Sequence, residues 1–151
     1  MLTLRAARAD DEAQLLSWRN EPATRRFSFD TRLIDEDEHG RWFKAKLSDP
    51  TSVILIAEDD DVPVGQVRLD SVEQDRAEVS ISVAPAVRGR GMATEALRLA
   101  ILQAPELLGV RRLYARIKPE NEASLRLFRA VGFEVIAEHA DVIEFERAVP
   151  G

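Results

Sequence analysis

The amino-acid sequence predicts a mixed α/β domain. Three observations carry this. Apolar spacing alternates along the chain between the strand period of two and the helical period. A strand, a glycine-rich turn and a helix follow one another at the centre. No repeat, low-complexity tract or Gly/Ser linker divides the chain. A chain of 151 residues can bury one proper core, so one domain spanning 1–151 is expected.

Taken in order, Leu2 to Arg5 alternates as a short strand. Asp10 is placed to cap a helix with Ala13, Leu15, Leu16 and Trp18 on its apolar face, ending near Asn20-Glu21-Pro22. A second helix is predicted from about Glu36 to Leu47, capped by Asp35, with Trp42, Phe43 and Leu47 as its apolar stripe and Asp49-Pro50 as its stop. The period then shortens. Val53 to Ala57 and Val64 to Asp70 read as a hairpin around the acidic turn Glu58 to Asp61, and Glu78 to Val83 as a third strand. Met92, Ala93, Ala96, Leu97, Ala100 and Ile101 recur at helical spacing. Arg112 to Ile117 is a strand and Glu120 to Val131 a helix stopped by Gly132. Phe133 to Ala137 and Val142 to Glu146 close the chain as a strand pair.

Composition excludes several chemistries. Apolar residues at 45% and charged residues at 32% describe a globular chain with no apolar run near the length of a membrane span. The first residues lack the features of a signal peptide, so a cytoplasmic protein is expected. Without cysteine there is no disulfide, thiolate ligand or cysteine nucleophile. His39 and His139 lack metal-ligand spacing, so no metal is expected. A net charge of -6 and few aromatic residues argue against nucleic acid as a partner.

The most informative segment is Val87-Arg88-Gly89-Arg90-Gly91-Met92-Ala93-Thr94, between a strand and a helix. Glycines at 89 and 91 let the backbone bend and approach a ligand with no Cβ in the way. The helix that follows offers free N–H groups and its positive dipole end. With Arg88 and Arg90 beside it, the segment reads as a phosphate or pyrophosphate cradle. It lacks the Lys-Ser/Thr ending of a Walker loop and the third glycine of the dinucleotide fingerprint. A ligand-free surface turn is the alternative.

Arg88 to Ala93 is similar to the R/Q-x-x-G-x-G/A acyl-CoA loop of the GNAT superfamily of N-acetyltransferases. Asn121 to Phe133 resembles the same family's N-x-x-(A/S)-x-x-(F/Y)-x-x-x-G-F segment, and Gly65 with Val67 matches its upstream hairpin. The resemblance covers most of the chain. It implies a mixed, mostly antiparallel sheet flanked by helices, with a splayed central strand pair. It also implies acetyl-CoA as co-substrate and direct attack by an amine in a ternary complex. The loop Arg88, Gly89, Arg90, Gly91, Met92 and Ala93 would hold the pyrophosphate. Ser82 and Val83 would bond the pantetheine arm, with Asn121 and Ser124 contacting it further on. A helix cap is the other reading of Asn121.

An amine must be neutral to attack, and the resemblance makes Glu78 the leading general base, with a solvated strand face as its other reading. Asp70, at the end of the previous strand, is the next candidate, although a turn residue is the reading its position favours. Many family members have a tyrosine where this chain has Phe128, so Ser124 or water is expected to stabilise the thiolate. The one tyrosine, Tyr114, is expected in the core. In the first third, the W-R-N and H-x-x-W-F spacings look like two family branches, acting on nucleotide-linked amino sugars and on ribosomal-protein N-termini. They imply Asn20, Phe29, His39 and Trp42 as acceptor contacts. Trp18 and Trp42 at helical spacing also fit core packing, and His39 beside a glycine also fits a surface position. Arg25, Arg26 and Arg41 would serve a sugar diphosphate, Asp35 to Glu38 a basic peptide. A catalytically silent acyl-CoA-binding module is the reading from another class, and a homodimer is in keeping with the family.

Overall fold

The computed structural model describes residues 1–73 and 75–150. Seven strands form one sheet: β1 (Leu2–Ala6), β2 (Ser52–Asp59), β3 (Val62–Glu73), β4 (Arg76–Val83), β5 (Arg112–Ile117), β6 (Glu134–Glu138) and β7 (Ile143–Ala148). Their order is β1-β2-β3-β4-β5-β7-β6, antiparallel throughout except for the parallel pair β4–β5. The helices are α1 (Glu12–Asn20), α2 (Pro22–Phe27), α3 (Glu36–Leu47), α4 (Met92–Leu108) and α5 (Glu122–Ala130).

Both faces of the sheet are covered, and the strand period of two sorts β2 between them. Leu55 and Ala57 join the cluster containing Ala96, Leu97, Ala100 and Ile101 of α4 and Leu125 and Phe128 of α5. Ile54 and Ile56 pack instead with Leu15 and Trp18 of α1 and Phe43 of α3. An unbroken apolar run thus becomes a strand buried on both sides. The β2–β3 turn places Asp60 and Asp61 at φ 49° and 70°. Aspartate tolerates this left-handed region, which a two-residue hairpin turn requires.

Several elements differ from the sequence expectation. Asp10 caps nothing with its side chain; it lies in a 3-10 turn, Ala9–Asp11. The neighbouring Asp11 carboxylate accepts from the Arg8 amide at 2.7 Å and holds both terminal nitrogens of Arg5 at 2.8 Å. A bidentate arginine partner decides which aspartate turns inward. The chain does not leave helical structure at Pro22, because proline is favoured in the first turn of a new helix and Glu21 caps it by accepting from the Thr24 amide at 3.0 Å. The expected cap Asp35 does accept from the Glu38 amide, at 2.8 Å. The buried stripe of α3 is His39 and Phe43, with Trp42 and Leu47 exposed; the two buried residues are four apart on one face.

The feature that positions the site is the β4–β5 pair. Its bridges run only from Arg76↔Arg112 to Glu78↔Tyr114. Beyond them β4 stays with β3 as far as Gly65↔Val83, and β5 stays with β7 as far as Ile117↔Ile143. The strands part, leaving Val79–Val83 and Ala115–Ile117 without each other. Gly65 permits the close approach on the β3 side: a Cβ there would lie 2.6 Å from the Ser82 carbonyl oxygen and 3.1 Å from Val83 Cα.

A second device ties the N-terminal helices to the loop after β4. Arg88 donates to both carboxylate oxygens of Glu21, at 3.2 and 2.8 Å, and to the Thr24 hydroxyl at 3.3 Å. This partner, more than the local α2 amides, holds the Glu21 carboxyl down at about 2.

Two outcomes follow. Gly65→Ala is expected to lower stability by roughly 1–3 kcal/mol in urea denaturation, because a backbone oxygen cannot yield as a flexible side chain can. The Glu21 carboxyl, depressed on folding, stabilises the fold fully above its ordinary value of 4.5, and that contribution disappears as pH falls through about 2. Glu21→Gln should therefore cost about 1 kcal/mol near neutrality, the partial exposure of the pair discounted. The gap to wild type should close between pH 4.5 and 2.

Candidate active site

A cavity of about 1040 Å³ fills the split. Its walls are the parted edges, Val79–Val83 on one side and Ala115–Ile117 on the other. At one end lie Gly89, Gly91 and Met92–Thr94, and at the other Trp18, Arg19, Phe29, His39 and Trp42. A smaller cavity of about 460 Å³ lies against Glu12, Glu36, Asp37, Arg41 and Lys44; it takes in Arg41, expected beside a sugar diphosphate, and Glu36 and Asp37 of the acidic stretch, but none of the other predicted site residues.

At the loop end, Gly89 and Gly91 have φ of 82° and 77°, and a Cβ on either would meet no atom within 4 Å. Left-handed geometry and an open approach, not tight packing, therefore call for glycine. Among the described residues, the first amide of α4 to find a backbone acceptor is that of Glu95, bonded to the Gly91 carbonyl at 3.2 Å. The amides of residues 89–94 remain free donors at the positive end of a seventeen-residue helix. The Arg88 guanidinium is committed to Glu21, so Arg90, exposed, outside the lining and unpaired among the described residues, is the loop's free cation.

Along the split, Glu78 lies where the strands begin to part. Its carboxylate accepts from Arg116 Nε at 2.7 Å. Ser82 accepts from the Gln66 side chain at 3.1 Å. On α5 the Asn121 side-chain oxygen caps the helix, accepting from the Ser124 amide at 3.3 Å, which leaves its NH₂ group as the part able to meet a ligand. Both residues line the cavity. Phe128 is a core ring, packed edge-on to Phe133 with centroids 4.9 Å apart.

Two further residues weighed in the sequence are placed elsewhere. Asp70 is not a turn residue but lies well inside β3, surrounded by Lys46 at 2.9 Å, the Ser52 hydroxyl at 2.6 Å and Arg68 at 2.8 Å. Burial pushes its carboxyl up, but the Ser52 and Lys46 hydrogen bonds and the Arg68 charge outweigh burial and hold it below the usual range. Such a group makes a poor base. Tyr114, expected in the core, is only partly buried because its hydroxyl meets Glu144, and it lies outside the lining; burial, then that hydrogen bond, pushes it up to about 12.

At the far end, His39 is 4% exposed, contrary to a surface position, and lies between Trp42 at 5.5 Å and Phe43 at 6.1 Å. Its Nδ1 has no partner among the described residues, and burial lowers its pKa, keeping the imidazole neutral. Trp42 is 36% exposed, so it meets the cavity as a surface rather than filling the core. Phe29 roofs the cavity between the cations of Arg116 and Lys118, 5.2 and 5.9 Å from its ring. Asn20 is outside the lining. It clamps the loop after α2, donating to the Ile34 carbonyl at 2.9 Å and accepting from the Ile34 amide at 2.8 Å. Arg25 and Arg26 are also outside it.

Sequence reasoning passed over Arg19, Arg68 and Arg116, all in the lining. Arg116 was findable, since it alternates with Tyr114 on a strand beside Glu78. Arg68 and Arg19 are brought in by the register of β3 and the packing of α1, which no local pattern records.

Residues 1–134 match the Acetyltransferase (GNAT) domain family. YwnH of Bacillus subtilis, provisionally named a phosphinothricin acetyltransferase, is 31% identical over 87% of this chain and 83% of its own length. The spermidine N(1)-acetyltransferase of Escherichia coli K12 is 36% identical over 63 residues, 42% of this chain, and the match spans only 34% of that protein. Among solved structures, spermidine N-acetyltransferase from Vibrio cholerae, in complex with CoA and spermine, superposes with a TM-score of 0.89 at 21% identity, covering 98% of this chain and 95% of that one. The unfilled amides at the head of α4, the parted strands and these matches have one explanation: the chain belongs to the GNAT family of acetyltransferases.

Proposed function

We propose that the chain transfers the acetyl group of acetyl-CoA to a primary amine by direct attack within a ternary complex. The observation that carries the reading is one continuous cavity lined both by Gly89, Gly91 and Met92–Thr94, whose amides are free, and by Glu78. Relatives support it: the Vibrio cholerae structure holds CoA, and a Salmonella typhimurium acetyltransferase of similar fold, TM-score 0.83, is described with acetyl-CoA.

The residues present fit this co-substrate. Gly89 and Gly91 leave the cradle open to a pyrophosphate, and the amides from Gly89 to Thr94, with Arg90 beside them, supply the donors. Ser82 and Val83 on the free edge of β4, and the Asn121 amide group, are placed to bond an extended pantetheine arm. When bound, acetyl-CoA supplies an activated thioester: the acceptor nitrogen forms the amide bond as the C–S bond breaks, and the thiolate leaves to take up a proton.

An aliphatic amine has a pKa of about 10 and must lose a proton before it attacks. Glu78 takes that proton, directly or through a water, with Arg116 fixing the carboxylate's orientation. Since Phe128 has no proton to give, the Ser124 hydroxyl or water attends the departing sulfur. Phe29, His39 and Trp42 surround the acceptor, and Asn20 acts on it only by holding the loop to Ile34. The working acceptor is a nucleotide-linked amino sugar, with a protein N-terminus such as that of a ribosomal protein as the alternative. The use of acetyl-CoA, an intracellular metabolite, supports a cytoplasmic location. An acyl-CoA-binding module without turnover is the second reading, favoured by the phenyl ring of Phe128 where many family members carry a tyrosine hydroxyl.

Thiol release from acetyl-CoA, measured over a panel of primary amines, tests the reading. Glu78→Gln is expected to lower kcat roughly 10²–10⁴-fold while acetyl-CoA binds as before. An unchanged kcat removes Glu78 as base. Release no faster than background with every amine, despite tight binding, favours the silent module.

A further inference from the structure

The acceptor end of the cavity is unevenly charged. Three carboxylates line the cavity as a whole, and each already faces an arginine. Asp30 takes Arg32 through two nitrogens at 3.0 and 2.8 Å, Glu38 lies 3.5 Å from the same Arg32, and Glu78 takes Arg116 at 2.7 Å.

The arginines are not balanced in return. Arg19, in the last turn of α1, has no carboxylate within salt-bridge distance among the described residues. Its Nη2 donates to the Asp30 main-chain carbonyl at 2.6 Å, while its Nη1 is buried with no acceptor among the described residues. Burial disfavours its charge; Asp30 offsets this in part, and Arg68, Arg25 and Arg32 add to it. Arg68 does have Asp70 at 2.8 Å, but that carboxylate also holds Lys46, so one negative charge serves two cations. Beside them, His39 is neutral and nine-tenths buried, with an unpartnered Nδ1 of its own.

A buried guanidinium nitrogen without an acceptor is costly, and the cost falls when a ligand supplies an anionic oxygen. Resting on the acetyltransferase reading of this cavity, we infer that the acceptor is an amine that also carries an anionic group, a carboxylate or a phosphate-type oxyanion, and that Arg19, supported by Arg68, is the residue that selects it. A polyamine is the opposite case. Its second and third ammonium groups need free carboxylates, and each of the three in the lining is already held by an arginine. Arg19 differs from Arg90 in kind, since Arg90 is exposed at the loop end and Arg19 is enclosed where the acceptor enters.

The test is steady-state kinetics at saturating acetyl-CoA with matched acceptors: glutamate and phosphinothricin beside their carboxamide or ester forms, a uridine diphosphate-linked amino sugar, and spermidine. Acid-bearing amino acids preferred over their neutral forms indicate a carboxylate receptor; preference for the sugar nucleotide indicates a phosphate receptor, and either result supports the proposal. Arg19→Gln should raise KM for the preferred anionic acceptor roughly 10–100-fold with kcat nearly constant, the effect of one charged hydrogen bond, and Arg19→Lys should restore part of it. Acetyl-CoA affinity, measured on each variant, reports that the fold and the cradle are intact.

Preference for spermidine or for the neutral forms, turnover of no anionic amine, or an Arg19→Gln variant with unchanged KM overturns the receptor alone. Failure of the wild type to bind acetyl-CoA overturns the acetyltransferase reading, and the receptor with it.

Discussion

The parting of β4 from β5 after three bridged pairs is the constraint on which the rest of the structure depends. A sheet normally satisfies its backbone groups strand to strand, and an interior edge left open is costly. Here each strand keeps its other neighbour: β3 holds β4 through Val83, helped by the missing side chain of Gly65, and β7 holds β5 through Ile117. The sheet therefore stays one body while a slot with unpaired backbone opens inside it. The loop leaving β4 turns into α4 at the mouth of that slot, so free strand edge and free helix amides face one cavity. An extended chain ending in phosphates is the shape that satisfies both at once.

The acceptor half is attached to this frame by a few polar contacts. α2 is joined to the cradle loop through Glu21 and Arg88, and Lys118, just past β5, donates to the Arg26 carbonyl at 3.0 Å. Phe29 bridges to the cations of β5 and its following turn, while Asn20 pins the loop to Ile34. Loop and cover are mechanically linked, so the position of the cover over the acceptor depends on the same arginine that shapes the approach to the cradle. Electrostatics divides the cavity in turn: free amides and Arg90 serve one end, a fully paired Glu78 the middle, and an excess of guanidinium the other.

The central strand–turn–helix was legible because its determinants are local: glycines at positive φ, a strand that alternates, and α4 residues at helical spacing. The residue chosen as base lies at the split because strand alternation and motif order already placed it there. Other features were not legible because distant partners decide them. Asp11 rather than Asp10 turns inward because Arg5 reaches it, and α2 forms because Glu21 caps a helix that the proline had suggested was ending. Asn20 looked like a ligand contact and is a clamp, since its partner Ile34 is fourteen residues away. Arg88 looked like a phosphate fork and is held by Glu21. The charge of a side chain is written in the sequence; whether that charge is already spent is a property of the fold.

Every functional role assigned to this chain requires the cradle to hold a pyrophosphate, which isothermal titration of acetyl-CoA and CoA against wild type and Gly91→Glu tests. Gly91 has nothing within 4 Å of its would-be Cβ, so a glutamate there projects its charge into the open cradle without striking the core. The account predicts binding at about micromolar Kd for the wild type and none for the variant, with the variant still folded by circular dichroism. A wild type that binds neither ligand, or a folded variant that binds both as well as wild type does, contradicts it.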